Sequence, residues 1–219
     1  MDHCRSRPSF KHLKNGTSRD PYGYNNELFK NAGNDLKIAT LNLMNMVKTQ
    51  QKIPKSMQLC NISSLYKNKG PRRKFSSYRG IFRVTVLRSI LNRLIFNDMY
   101  ETMDSNLTDC NVGNRKSRNI RDNLFVLNAV LNSTKQRSKE PIDLGVYDVE
   151  KCFDTMWAKE ALNDAYDLGF MNDRLPLVHL TNNIASIAVK SSTGISDRAT
   201  IRSTRMQGTA CSVLRQWTN

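Results

Sequence analysis

The stretch that decides the fold is MQLCNISSLYKNKGPRRKFSSYRGIFRV, residues 57–84. Its two ends, residues 57–66 and 78–84, are rich in the aliphatic and aromatic side chains typical of β-strands. The segment between them, KNKGPRRKFSS, contains a Gly-Pro pair that favours a turn, and it is strongly basic. The pattern therefore predicts a β-hairpin with a basic tip.

Helices are predicted on both sides of this hairpin. Apolar residues recur at helical spacing in residues 35–50, 87–99 and 122–131, and further helices are expected over residues 159–168, closed by Gly169, and 175–186. A second hairpin is predicted from IAVK and ATIRS, across STGISD. The segment DLGVYDVEKCFD, residues 143–154, reads as a strand that ends in a turn. Helices interleaved with antiparallel hairpins predict an α+β fold rather than a doubly wound sheet.

The first 21 residues are polar, basic and without periodicity, and they predict a flexible lead-in. Residues 22–219 are then expected to form one domain. The five cysteines are widely spaced and include no C-x-x-C pair, which indicates neither a disulfide framework nor a zinc cluster. Scattered thiols of this kind are typical of an intracellular protein, in the nucleus or the cytoplasm.

Charge is the strongest compositional signal. The chain has 34 Lys and Arg against 19 Asp and Glu, a net charge of +15, and 13 of the basic residues fall in residues 61–121 with only four acidic ones. This excess favours a polyanionic partner, above all nucleic acid. A merely solvated basic surface would give the same count, and acidic lipid is a third alternative, although no basic amphipathic helix with an aromatic face accompanies the charge.

Neither a membrane nor secretion is predicted. The chain contains no apolar run of the roughly 18 residues that a membrane helix needs. The basic N-terminus lacks the apolar core and cleavage site of a secretory signal. No protein partner is evident from the sequence.

The chemical motif is VYDVEKCFD, residues 146–154, in which an apolar run delivers Asp148 at the end of a predicted strand. A carboxylate fixed there can hold a divalent cation such as Mg²⁺, which prefers oxygen ligands and often keeps substrate phosphates among them. The motif alone is weak, because a solvated aspartate near a strand end is common.

Five segments, taken in order, resemble the successive motifs of non-LTR retrotransposon reverse transcriptases. They are NISSLYKNKG, SSYRGIFRV, NVGNRKSRNIRDNLFVLN, VYDVEKCFD and RSTRMQGTACSVL, which lie within residues 61–214 of a resemblance that covers about residues 22–214. The resemblance implies the fingers and an incomplete palm of a right-hand polymerase. It also implies RNA-directed DNA synthesis with Mg²⁺, or Mn²⁺, on an RNA template and a DNA primer, from deoxynucleoside triphosphates.

The resemblance also assigns residues to the polymerase site. Asp148 matches the catalytic metal ligand, and Phe153 matches the aromatic residue beneath the sugar of the incoming nucleotide. Arg79, in Y-R-G-I where the family usually has Y-R-P-I, matches the arginine that grips the triphosphate. The other nucleotide-binding matches are Lys67 and Lys69, either of which could reach a phosphate, and Gln207 and Gly208, beside the template and nucleotide.

Template contacts are expected from two basic segments. Arg72 and Arg73, with Lys74, could touch the template backbone or only water. Residues 111–122 resemble the block that lies along the template, and this resemblance implies backbone contacts for Arg115 and Arg118, with Asn119 where a small polar residue is usual.

Two departures from the family stand out. TACSVL replaces the commoner pattern ending in Ser-Pro-Leu, and no Asp-Asp pair, which would supply two further metal-binding carboxylates, occurs anywhere in the chain. The expectation is a fragment that is inactive alone. The alternative is a degenerate, non-catalytic remnant that binds RNA or an RNA–DNA hybrid.

Overall fold

The structure, a computed structural model, describes residues 10–113, 115–137, 142–148, 158–170, 174–191 and 194–202. The helices that lie wholly within these ranges are α1 (Asn26–Lys30), α2 (Asn34–Gln50), α3 (Val86–Ser105), α4 (Ile120–Arg137), α5 (Ala158–Asp167) and α6 (Arg174–Asn183). The strands are β1 (Leu59–Tyr66), β2 (Tyr78–Val84), β3 (Ile184–Lys190) and β4 (Ala199–Arg202). Short 3-10 turns cover Lys55–Gln58 and Phe75–Ser77.

The four strands form one mixed sheet in the order β2-β1-β3-β4. β1 pairs antiparallel with β2, from Cys60 opposite Val84 to Tyr66 opposite Tyr78, and β3 pairs antiparallel with β4. Both predicted hairpins and the α+β class are therefore confirmed. β1 runs parallel to β3, a pairing that joins residues more than a hundred positions apart and that the local pattern did not predict.

The main core lies among the helices. α3 contributes a buried stripe at a spacing of three to four residues, which is the face that an amphipathic helix turns inward: Ile90, Leu91, Leu94, Ile95, Met99 and Met103. Leu41, Met44 and Val47 of α2 and Leu177 and Val178 of α6 belong to the same cluster. A smaller cluster around Cys60 and Ile187 belongs to the sheet. The predicted end of α5 is confirmed, since Gly169 adopts a φ of +87°.

The beginning of the described chain belongs to this core. Phe10 is buried in the main cluster. The carboxylate of Asp20 accepts hydrogen bonds from the backbone N–H groups of Tyr22 (2.8 Å), Tyr24 (2.9 Å) and Val86 (3.1 Å), the first residue of α3. These contacts differ from the flexible lead-in predicted for residues 1–21, of which residues 1–9 lie outside the described residues. A single buried ring and a carboxylate that binds distant amides leave no periodic signal in the sequence.

The α4 helix and residues 142–148 lie outside the two clusters. The helix is present as expected, yet none of its side chains is buried, and Phe125 is 75% exposed. The predicted strand is wrong for residues 143–148, which are irregular, with Val146 84% and Tyr147 95% exposed. A strand is stabilised by ladder hydrogen bonds, and none of the four described strands pairs with this segment. The rest of the predicted stretch, residues 149–154, lies outside the described residues. Among the residues described, no helix is long and apolar enough to cross a membrane.

Candidate nucleic-acid interface

The turn between β1 and β2 concentrates positive charge. We define the basic tip as residues 67–79, which carry six Lys and Arg and no acidic residue: Lys67, Lys69, Arg72, Arg73, Lys74 and Arg79. All six side chains are exposed. The surrounding sequence has no Asp or Glu from residue 36 to residue 97, so no nearby acid in the sequence offsets the charge. A surface of one sign attracts a polyanion, most strongly within about one ionic screening length of the surface.

The backbone of the basic tip is held in one shape. The N–H of Lys67 donates to the carbonyl of Ser77 at 2.8 Å, and the N–H groups of Lys74 and Ser77 donate to Pro71 (3.1 Å) and Lys74 (3.0 Å). Gly70 adopts a φ of +84°, and a Cβ there would lie 2.8 Å from Oγ of Ser77. Only glycine fits both the left-handed backbone and this close approach.

Two tyrosines brace the tip where the strands end. Tyr66 and Tyr78 face each other with ring centroids 5.4 Å apart. Their hydroxyl groups donate across the turn to the carbonyl oxygens of Gly70 (2.6 Å) and Arg72 (2.9 Å). The guanidinium of Arg72 lies 5.3 Å from the centre of the Tyr66 ring, within cation–π range. The ammonium of Lys67 donates to the carbonyl of Ser76 at 2.9 Å.

These contacts divide the predicted phosphate ligands into two groups. Lys67 and Arg72 are partly used in holding the tip together. Lys69, Arg73, Lys74 and Arg79 are exposed and form no ion pair within the part of the chain that the structure describes. Arg79 lies on β2 opposite Leu65 of β1, next to the turn. Between the two companion lysines, the geometry leaves Lys69 the more available for a phosphate.

The loop after α3 uses its arginine differently from the prediction. Nε of Arg115 donates to Oδ1 of Asp104 at 2.8 Å, and the remaining guanidinium nitrogens donate to the carbonyl oxygens of Thr108 (2.9 Å), Asn111 (3.3 Å) and Asp104 itself (3.3 Å). The Arg115 side chain is only 7% exposed. It is therefore better placed to hold this loop on α3 than to reach a phosphate.

Electrostatics agree with that role. The hydrogen bond from Arg115 holds the pKa of Asp104 below its ordinary value, and the same bond raises the pKa of Arg115. Tyr100 joins the cluster, because its hydroxyl donates to Asp104 at 3.2 Å and accepts the N–H of Lys116 at 2.6 Å. The Lys116 ammonium lies 4.1 Å from the centre of the Tyr100 ring.

The other two residues predicted in this block sit at the start of α4. Arg118 forms an exposed ion pair with Asp109 at 2.7 Å. The side-chain oxygen of Asn119 accepts the backbone N–H of Arg121 at 3.2 Å, and the backbone N–H of Asn119 donates to the Asp122 carboxylate at 3.0 Å. Asn119 therefore caps α4 in the reciprocal arrangement known as a capping box. A contact of either residue with nucleic acid stays a prediction.

The candidate catalytic residue, Asp148, is exposed in the irregular segment 142–148. The ranges that the structure describes contain no group of three or more His, Cys, Asp or Glu that could hold a metal ion. A two-ion Mg²⁺ or Mn²⁺ site needs further oxygen ligands besides one carboxylate to hold both ions in line. Phe153, Gln207 and Gly208 lie outside the described residues.

Cys60 of β1 and Arg88 of α3 are buried, and their role is structural rather than reactive. Burial raises the pKa of the Cys60 thiol to about 11, so the thiol stays protonated and is a poor nucleophile. Burial also lowers the pKa of the nearby Arg88, which donates to the carbonyl of Met57 at 3.5 Å.

Sequence reasoning missed three aromatic residues in or next to the tip. Tyr66 and Tyr78 were read only as strand residues, and Phe75, which is 97% exposed, was not singled out. Tyrosines placed symmetrically at the two ends of a predicted turn were the available signal for the first two.

In comparisons with known proteins, no protein-family model and no curated protein matches this chain.

Proposed function

We propose that this chain is the fingers and part of the palm of an RNA-directed DNA polymerase of the non-LTR retroelement type. In this proposal the basic tip grips the phosphates of template, primer or incoming nucleotide. The observation that supports it best is the tip itself, a braced turn that presents Lys69, Arg73, Lys74 and Arg79 without an ion pair to any acid that the structure describes. The motif order in the sequence supports the family.

A braced turn suits phosphate binding for a physical reason. Cations on a loose loop lose conformational freedom when they bind, and that loss opposes association. Folding already removes most of this conformational freedom from the tip, because its tyrosines and backbone amides fix the turn. Arginine adds a planar fork that can donate two parallel hydrogen bonds to a phosphate.

Nucleotidyl transfer is a further part of the proposal. Asp148 would be its catalytic carboxylate and metal ligand. Deoxynucleoside triphosphates, an RNA template and a DNA primer would be its substrates, with Mg²⁺ or Mn²⁺ as the cofactor. For this chain the proposal rests on phosphate binding, because the geometry of the basic tip supports that role.

A second candidate function is a non-catalytic module that binds RNA or an RNA–DNA hybrid. The observation in its favour is the environment of Asp148. The flanking side chains Val146 and Tyr147 are exposed rather than packed, so nothing in residues 142–148 fixes the carboxylate in the way that a catalytic metal ligand requires.

The first experiment tests binding. We would measure the affinity of the full chain for an RNA–DNA hybrid with a single-stranded RNA overhang across a series of salt concentrations. Replacing Arg73 and Lys74 by Ala should lower the affinity and reduce the slope of log affinity against log salt by about two, one for each phosphate that is no longer neutralised. The matched control replaces Lys52 and Lys55, two exposed lysines outside the tip, and should leave the slope near that of the unmodified chain.

A second assay tests catalysis. Primer extension on the same hybrid, abolished by Asp148→Ala, would establish the polymerase and exclude the non-catalytic module. Binding without extension is expected of both candidates, because this chain is expected to be inactive alone. Affinity that does not change with salt, or equal losses in the tip and control variants, would refute the phosphate-binding role in both.

A further inference from the structure

Phe75 stands at the basic tip with 97% of its side chain exposed. Lys74 precedes it and the small polar Ser76 follows it. We propose that Phe75 is a stacking platform for an unpaired base of single-stranded nucleic acid, while the neighbouring cations bind the phosphates on either side of that base. This inference rests on the proposed function of the tip and adds to it a contact with a base.

The backbone beneath the ring is fixed. Phe75 begins the 3-10 turn Phe75–Ser77, and its carbonyl accepts the N–H of Tyr78. The N–H of Ser77 donates to Lys74 at 3.0 Å, and the ammonium of Lys67 donates to the carbonyl of Ser76 at 2.9 Å. The ring is therefore presented from a rigid support, so a base that stacks on it need not order the loop.

The chemistry of the surroundings selects the ligand. Every nucleobase has a flat face that can stack on an aromatic ring, and each base in a strand is followed by a phosphate. An aromatic ring between cations, with Arg73 and Lys74 before it and Arg79 just beyond it, matches that alternation. Proteins that bind single strands combine aromatic stacking with a positively charged surface in this way.

Duplexes and membranes fit the tip less well. The faces of paired bases are covered by their neighbours in the stack, so the ring needs an unpaired base. Insertion into an anionic membrane relies on a broad apolar face. Around Phe75 the tip offers one isolated ring, because Tyr66 and Tyr78 are half-buried and direct their hydroxyl groups to carbonyl oxygens. One ring matches one base.

The test compares two probes of equal charge. The full chain is titrated with a fluorescent oligouridylate of about ten nucleotides, a length within the usual site sizes for single strands, and with an abasic oligonucleotide of the same length. Phe75→Ala should weaken binding of the oligouridylate by roughly five- to a hundredfold and leave binding of the abasic strand unchanged. Phe75→Trp should keep the affinity, with Trp fluorescence that is quenched on binding beyond the change in the unmodified chain.

Two controls make the result specific. Phe125→Ala removes another largely exposed ring, on α4, and should leave both affinities unchanged. Lys74→Ala should weaken binding of both probes, because it removes a phosphate contact. Unchanged thermal unfolding of Phe75→Ala would show that the fold is intact, as expected for so exposed a side chain.

The outcomes are distinguishable. If the chain binds the oligouridylate in a salt-dependent manner and Phe75→Ala changes nothing, the stacking proposal fails while phosphate binding stands. If the chain binds neither probe, the proposed function of the tip fails as well. Equal losses of affinity for both probes in Phe75→Ala would overturn stacking on a base. So would a loss of binding to vesicles of anionic lipid in Phe75→Ala, measured as a third probe, with no loss of binding to the oligouridylate.

Discussion

Nε of Arg115 and Oδ1 of Asp104 lie 2.8 Å apart, and this ion pair ties the loop that follows α3 back to the end of that helix. The sequence context of Arg115 resembles a template-contacting block, yet its guanidinium binds one carboxylate oxygen and three backbone carbonyl groups. A mainly buried arginine with this many hydrogen-bond partners inside the protein stabilises the fold.

Asp104→Asn should destabilise the chain in a pH-dependent way. Arg115 lowers the pKa of Asp104 in the folded state, so folding favours the ionised carboxylate. That stabilisation is present above the ordinary Asp pKa and is lost as the pH falls through the lower, folded-state value. We expect the free energy of unfolding to be lower in the variant near neutral pH, and the difference from the unmodified chain to shrink below about pH 4. Urea unfolding over a series of pH values measures it.

The control for this prediction is Asp109→Asn. Asp109 is 87% exposed and pairs with a half-exposed arginine, Arg118, so solvent screens the interaction and we expect little change in stability. A pH-dependent loss as large as that of Asp104→Asn would show that the buried arginine contributes nothing special.

Asp20→Ala should destabilise α3 from a distance of 66 residues in sequence. The Asp20 carboxylate accepts the N–H of Val86, which otherwise has no partner at a helix start, and it also holds the turn that contains Tyr22 and Tyr24. Loss of a capping side chain typically costs about 1–2 kcal/mol. Urea unfolding should show this loss, whereas Glu101→Gln, an exposed charge removal on α3, should show almost none. Equal stability of the two variants would contradict a capping role.

The sequence predicted the elements of the fold well where a local pattern carries the information. Helical spacing located α2 and α3, and the turn residues located the β1–β2 hairpin. It failed at residues 143–148, because an apolar run predicts a strand without saying which strand will pair with it. It also missed the anchoring of Phe10 and Asp20, since both depend on contacts with residues far away in the chain.

The sequence predicted which residues make up the candidate site, but it predicted less well which of them are available to bind a ligand. The positive charge of the tip is visible in the sequence, but the structure alone separates Lys69, which is available, from Lys67, whose ammonium binds Ser76. Arg115 shows the same limit, because its burial depends on where Asp104 comes to lie. A basic residue in a sequence motif therefore indicates a charge, and its hydrogen-bond partners decide whether that charge is available.

Phe10→Ala and Phe75→Ala should differ sharply in stability. Phe10 is 4% exposed within the main core and Phe75 is 97% exposed at the tip. Truncating a buried Phe leaves a cavity and costs about 3–5 kcal/mol, whereas an exposed ring leaves none. We expect a clear loss of unfolding free energy for the first variant and almost none for the second. Similar values would show that the start of the described chain does not belong to the core.

Gly70→Ala should disturb the tip without changing its charge. A side chain at a φ of +84° is strained by about 1–2 kcal/mol, and the new Cβ would also meet Oγ of Ser77. The turn that presents Lys69 and Arg73 should loosen, so affinity for the RNA–DNA hybrid should fall while the dependence on salt is kept. Gly33→Ala, where a Cβ meets nothing within 4 Å, is the control. Unchanged affinity in Gly70→Ala would mean that the shape of the turn does not matter for binding.

Arg79→Lys and Arg79→Ala together test whether Arg79, on β2, binds phosphate through the planar fork of its guanidinium or only through its charge. Removing the charge should reduce the slope of log affinity for the hybrid against log salt by about one. Lysine should restore that slope but not the full affinity, because an ammonium cannot replace the two parallel hydrogen bonds of a guanidinium fork. The same order, Arg above Lys above Ala, is expected for inorganic triphosphate. Arg93→Ala, an equal loss of charge at an exposed position of α3, should have a smaller effect on both ligands. If Lys at position 79 matches Arg, the fork is not used; if the losses at Arg79 and Arg93 are equal, the binding surface is not the basic tip.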